Sequence, residues 1–195
     1  MPTPADPTRL GMALAYADEA HQHQTRKITG IPYVSHLLGV ASLALEFGAT
    51  EDEAIAALLH DVAEDQGGTA RLVEVSARFG PEVARIVAFC SDSLDTNPAL
   101  KAPWRERKQR HLAHLAEADA SVRLVVACDK LHNIQNLLRD LRTRGPAIWL
   151  HFKSKPQDQL WYYQAVLDAL RAAEDRPFID ELAWAFGRLK AHIPD

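Results

Sequence analysis

The stretch Ala54-Ile55-Ala56-Ala57-Leu58-Leu59-His60-Asp61-Val62-Ala63-Glu64-Asp65 decides how this chain folds. Its apolar residues cover nearly the whole circumference of a helix from Ala54 to about Glu64, which marks a central, buried helix. Thr50-Glu51-Asp52-Glu53 carries the capping-box pattern, so the helix starts there. At its far end an imidazole stands beside a carboxylate, and two more acids follow within about one turn. Ionisable groups set against an apolar helix cost free energy unless something pairs with them. A metal ion is an effective partner, because it accepts a neutral imidazole and an ionised carboxylate together.

The pattern stays helical outward from this point. Leu10, Ala13, Leu14, Ala17 and Ala20 fall at helix spacing, as do Leu37, Val40, Ala41, Ala44 and Phe47, with Gly48 as a stop. Asp65-Gln66-Gly67-Gly68 breaks the central helix, and Thr69 predicts the cap of a helix ending at Phe79-Gly80. Pro81 suits the first position of the next helix, which turns Val83, Ile86, Val87 and Cys90 inward. Ser91 to Pro103 reads as a loop and Trp104 to Ala116 as a basic amphipathic segment. Ser121 to about Leu141 predicts a long helix, and Gly145-Pro146 ends that region. Pro156 to Ala173 and Phe178 to Lys190 predict two closing helices. Neither strand alternation nor a repeat is visible. The expectation is all-α: a single-domain helical bundle over 1–195, with its motifs at about 8–145 and closing helices at about 146–192.

The 195 residues suffice for one well-packed core. Hydrophobic residues at 47% and charged residues at 25% give the mixture of a soluble globular protein. A net charge of −4 argues against a broad nucleic-acid surface, so an anionic substrate must be held by local Lys and Arg. Cys90 and Cys128 lack CxxC-type neighbours and read as buried thiols in a reducing compartment. The start, Met1 to Pro7, has no basic, apolar signal character, and the longest apolar run, Leu37 to Leu45, is too short to cross a bilayer. The expectation is a cytoplasmic protein with no membrane partner; the oligomeric state is not readable.

Four residues stand out as candidate metal ligands: His36, His60, Asp61 and Asp129, the last ending the apolar run Leu124 to Cys128. Two imidazoles and two carboxylates leave open positions for water and substrate oxygens, and suit Mn²⁺, Fe²⁺, Co²⁺ or Zn²⁺. A phosphate substrate tilts the choice toward Mn²⁺. Taken singly, each has a plainer reading, His36 as an interior histidine and Asp129 as the partner of Lys130. Glu64 and Asp65 stand four residues after His60 and Asp61, where a carboxylate can orient a metal-bound water or take its proton; the plainer reading is exposed helix-end acids. Asn133, four after Asp129, is a candidate contact to a sugar hydroxyl or a ligand carboxylate. Arg26-Lys27, on a Gly/Pro turn before His36, is a candidate phosphate clamp, and Arg105, Arg107, Lys108 and Arg110 a second. His21, His23, His111, His114, His132, His151 and His192 lack ligand-like context and read as surface or structural.

These blocks resemble the HD-domain metal phosphohydrolases, named for the His-Asp doublet. Arg26-Lys27-x-x-Gly30-x-Pro32-Tyr33-x-x-His36, Ala57-Leu58-Leu59-His60-Asp61-x-x-Glu64-Asp65 and Asp129-Lys130-Leu131-His132-Asn133 are similar to the alarmone hydrolase branch. That branch holds the hydrolase domain of RelA/SpoT-type proteins and the free-standing, Mesh1-like small alarmone hydrolases. The resemblance runs from Ala17 to Asn133 and fades after about Leu141. It implies an all-helical HD fold, Mn²⁺ at the His-Asp site, and removal of the 3′-diphosphate of guanosine tetra- or pentaphosphate (ppGpp, pppGpp) to give GDP or GTP and pyrophosphate. It also implies His36, His60, Asp61 and Asp129 as ligands, Glu64 and Asp65 as water-activating acids, Arg26 and Lys27 lining the nucleotide site, and Asn133 near the ribose. The synthetase domain of the longer relatives has no room here, so degradation rather than synthesis of the alarmone is expected. Gln66 departs from the Thr common in relatives. Two alternatives stay open: the same site acting on adenosine-based alarmones or as an NADPH phosphatase, and a non-catalytic nucleotide-binding or antitoxin-like partner.

Overall fold

The computed structural model describes residues 7–97, 99–173 and 176–193. Met1 to Asp6, on which most of the expectation about the chain's start rests, lie outside the described residues. Among the described residues the architecture is all-α. In order the helices are α1 (Pro7–Ala20), α2 (Val34–Glu46), α3 (Glu51–Leu59), α4 (Val62–Gln66), α5 (Gly68–Phe79), α6 (Pro81–Cys90), α7 (Trp104–Glu117), α8 (Ala120–Arg144), a 3₁₀ turn (Pro146–His151), α9 (Pro156–Ala173) and α10 (Pro177–Lys190). No helix among the described residues is long and apolar enough to cross a membrane.

Local chemistry sets most of these boundaries. Thr50 caps α3 as its sequence demands: its hydroxyl accepts from the Glu53 N–H, and the Glu53 carboxylate accepts from the Thr50 N–H at 2.7 Å. Asp119 caps α8, accepting from the Val122 N–H at 3.0 Å. Gly48, at φ +84°, ends the α2 region, and Pro81 opens α6. Residues 54–60 are buried on every side, as the all-round apolar pattern predicts. Full burial of side chains such as Ile55 and Leu59 contributes about 2 kcal/mol each. α8 is the axis of the molecule: it packs against α2, α3, α6, α9, α10 and the 3₁₀ turn. A contiguous core cluster reaches from Ala13 to Ile193, so α9 and α10 belong to the same packing unit as the motif-bearing helices.

Two boundaries differ from the sequence reading. The central helix does not run on to Glu64. It stops at Leu59, turns at His60 and Asp61, and resumes as α4. The Ala57 carbonyl accepts from the His60 ring (Nδ1 to O, 2.8 Å), and Asp61, at φ −98° and ψ −5°, bends the chain. Thr69 does not cap α5. That helix begins at Gly68, after Gly67 at φ +145°, a conformation a threonine would not supply.

Candidate metal centre and active cleft

The bend after α3 brings two neighbouring residues onto one point. Adjacent residues of an unbroken helix diverge by about 100°. Here Nε2 of His60 lies 3.1 Å from Oδ2 of Asp61 and 3.6 Å from Oδ1 of Asp129 on α8. His36, near the start of α2, closes the group, with Nε2 3.3 Å from Asp129 Oδ1 and 3.7 Å from Asp61 Oδ2. Donor atoms of His36, His60 and Asp129, all buried residues, lie within 4.8 Å of one another. The fold thus brings together all four residues selected as ligands, from α2, α8 and the α3–α4 turn.

The donor set fits a divalent cation on three observations. Nε2 of His60 is buried with no hydrogen-bond partner, while Nδ1 is committed to the Ala57 carbonyl, so Nε2 is the ring atom left to face the cluster. The electrostatics also call for positive charge. Burial opposes a charged imidazole, yet the Asp61 and Asp129 carboxylates outweigh it and raise the His60 pKa well above the usual value. Burial likewise opposes ionised carboxylates, but Lys130 beside Asp129 and the His60 imidazole beside Asp61 hold both below the usual range. Finally, the ligand groups are braced from outside. Tyr33 donates its hydroxyl to Asp61 Oδ2 at 2.5 Å. Asn133 donates to Asp129 Oδ1 at 2.5 Å and in turn accepts from Arg26 at 3.0 Å. Such outer partners orient metal ligands and raise their affinity.

A cleft of about 460 Å³ opens over this cluster, a size suited to a nucleotide. Asp61, Glu64, Asp65 and Asp129 lie on its lining, with Arg26, Lys27, Lys108 and Lys130 supplying positive charge. Glu64 is mostly buried. Desolvation, with Asp92 and Asp61 nearby, pushes its carboxyl up to about 7. Asp65 is also raised, by burial and then by Asp61, and accepts from Gln24 at 2.7 Å. Gln66 donates to that same Gln24 at 2.5 Å, so the residue that departs from the family pattern steadies the support of Asp65.

Of the second basic cluster only Lys108 lines the cleft. Arg107 pairs with Asp92, Arg110 with Glu106, and Arg105 sits over Trp161 while pairing with Asp158. Several contributors escaped the sequence reading. Tyr33 lay inside a quoted motif, but nothing there assigned its hydroxyl to Asp61. His132, read as surface or structural, has Nδ1 2.7 Å from Nδ1 of His36; its spacing of three from Asp129, on the same face of one helix, was the available signal. Asp92, in a polar loop, had none.

Comparison with known proteins agrees with this geometry. The profile of the HD domain family matches residues 13–156. The chain is 32% identical over 179 residues to the Xenopus tropicalis guanosine-3′,5′-bis(diphosphate) 3′-pyrophosphohydrolase MESH1, covering 87% of this chain and 92% of that protein. It is 36% identical over 148 residues to the Homo sapiens protein of the same name, covering 74% and 76%. A solved structure described as a metazoan ortholog of SpoT that hydrolyses ppGpp superposes with a TM-score of 0.75 at 28% identity, covering 95% of this chain and 98% of that one. The match to the GTP pyrophosphokinase rsh of Brucella melitensis spans only 17% of that longer protein. With the motifs, the site and the whole-length likeness in agreement, the chain belongs to the HD domain family, on its MESH1 branch.

Proposed function

We propose that this chain is a Mn²⁺-dependent hydrolase that removes the 3′-diphosphate of guanosine tetra- or pentaphosphate, giving GDP or GTP and pyrophosphate. The observation that carries the reading is the buried His36–His60–Asp129 cluster, with its partnerless imidazole nitrogen, at the floor of a lysine- and arginine-lined cleft. The names of the similar proteins support the substrate. His36, His60, Asp61 and Asp129 would hold the ion, which supplies a water of lowered pKa and neutralises charge on a phosphoryl oxygen. Oxygen ligands and a phosphate substrate favour Mn²⁺ over softer ions.

Glu64 takes the proton of the attacking water. Its pKa near 7 suits a group that accepts a proton and then returns it to the departing 3′-oxygen. Asp65, held by Gln24, positions that water. The water oxygen forms a bond to phosphorus, the bond between phosphorus and the 3′-oxygen breaks, and the 3′-oxygen departs as the hydroxyl of GDP or GTP, with the water oxygen kept in the pyrophosphate product. Arg26 and Lys27 at the cleft wall bind the nucleotide, with Lys108 and Lys130 countering the charge of the 3′-diphosphate under attack. Asn133, tied to Asp129 and Arg26, lies where the ribose would pass.

The test is incubation of purified protein, loaded with Mn²⁺, with guanosine tetraphosphate. Pyrophosphate and GDP should appear, and a chelator should stop their release. Nucleotide bound tightly but left intact in Mn²⁺ would replace the hydrolase with a binding protein.

A further inference from the structure

Gly39 follows His36 by three residues on α2, so the two share a helix face. A Cβ added at Gly39 would stand 2.2 Å from Nε2 of His132 and 2.5 Å from its Cδ2. The His132 ring therefore rests directly on the bare backbone of α2. From this notch its Nδ1 reaches Nδ1 of His36 at 2.7 Å. Asn136, one turn further along α8, closes the other side: its amide lies 3.1 and 3.2 Å from the two ring nitrogens and donates to the His132 carbonyl at 2.8 Å. Glycine inside a helix costs about 1 kcal/mol against alanine. The close approach of His132 is what alanine would forbid.

Two ring nitrogens 2.7 Å apart share one proton, because two protons would clash and two bare lone pairs would repel. If Nε2 of His36 is a ligand atom, its proton sits on Nδ1, and Nδ1 of His132 accepts it. His60 solves the same problem with a carbonyl from its own preceding turn, Ala57. His36 takes its acceptor from a helix 96 residues away, and that acceptor needs a recess to reach it.

We propose that His132 is a positioning residue of the metal centre, fixing the tautomer and orientation that present His36 Nε2 to a divalent ion, and that Gly39 is the recess that admits it. The inference rests on the metal-centre reading above. Its test is calorimetric titration of the metal-stripped full chain with Mn²⁺ and no nucleotide. Loss of an outer partner costs about 10- to 100-fold in metal affinity, so His132→Phe, which keeps a ring in the recess but offers no acceptor, should weaken Mn²⁺ binding by that factor. Gly39→Ala should do the same by expelling the ring. His132→Gln, whose amide oxygen can accept from His36, should recover much of the loss. The metal-free Tm of His132→Phe should stay within a few degrees of wild type, which separates positioning from folding. Wild-type affinity in His132→Phe, or no recovery in His132→Gln, overturns the proposal while leaving the hydrolase reading intact. A wild-type chain that binds no divalent ion overturns both. If Gly39→Ala does not fold, the two His132 variants decide.

Discussion

The backbone N–H of Asp92 donates to Oε2 of Glu64 at 2.8 Å. The Asp92 side chain, 1% exposed, is held by Lys108 at 2.6 Å and by Arg107. The loop after α6 thus fixes the proposed proton acceptor, and the Asp92 charge helps to raise its pKa.

Replacing Asp92 with Asn should have two separable effects. Burial opposes the Asp92 charge, but Lys108 and Arg107 outweigh it and hold the pKa at about 2, against 3.8 for a free side chain. A depressed carboxylate contributes stability that is full above the unfolded pKa and is lost as pH falls through the folded one. Asp92→Asn should therefore lose about 2 kcal/mol at neutral pH, with the deficit shrinking below about pH 4. Glu64, freed of a neighbouring negative charge, should titrate lower, so the rising limb of kcat/KM should move to lower pH. Urea melts and a pH–rate profile check both; an unmoved limb would mean that Asp92 acts on folding alone.

What could be read from the sequence was what is local. Thr50 and Glu53 lie three apart, so their reciprocal cap was legible before the fold. Polar groups ending apolar runs, as at His60-Asp61 and Asp129, were legible for the same reason: their burial needs a partner wherever the chain goes. The break at Leu59 was not, because apolar residues resume at Val62 and Ala63 in helical register, while the turn itself is made by the bond from the His60 ring to Ala57 and the bend at Asp61. Asp92 and Gln24 gain meaning only from partners 28 and 41 residues distant, beyond any helical period, and the spacing of His132 from Asp129 could not name its partner 96 residues away.

Asp61→Asn tests the cluster from its most exposed member. The amide keeps the size of the carboxylate but removes a charge that raises the His60 pKa. Mn²⁺ affinity should fall by more than about 100-fold, beyond the loss of an outer partner, and turnover should fall with it. Raising Mn²⁺ should not restore wild-type kcat. A variant that hydrolyses at the wild-type rate with no retained metal would remove Asp61 from the centre.

Gly68 stands at φ +62°, and a Cβ there would lie 2.3 Å from the Leu94 carbonyl oxygen. Backbone cannot swing aside as a side chain can, so Gly68→Ala combines left-handed strain, about 1–2 kcal/mol, with displacement of the 91–97 loop. Gly48, at φ +84° with nothing within 4 Å of its added Cβ, isolates the strain alone. Gly68→Ala should lower Tm more than Gly48→Ala by at least about 3 °C. It should also depress activity, because that loop carries the Asp92 N–H to Glu64. Equal Tm losses would show that the Leu94 contact relaxes freely.

His111 gives acid sensitivity a specific source. Its Nδ1 lies within hydrogen-bond distance of the Tyr162 hydroxyl, at 3.2 Å, on the wall of the cleft. Burial, then the ammoniums of Lys130 and Lys108, push its pKa down to about 3 from 6.5. The folded chain thus keeps this ring neutral while the unfolded chain protonates it. The stability it contributes is full above pH 6.5 and drains as pH falls toward 3, at about 1.4 kcal/mol per pH unit. His111→Gln keeps a hydrogen-bonding amide for Tyr162 and removes the titration. In metal-free protein, urea-derived stabilities of the two should differ by an amount that changes by about that slope between pH 6 and 4, with the variant flatter. Parallel curves would mean that the folded state admits the proton, and that His111 is not the acid-labile group.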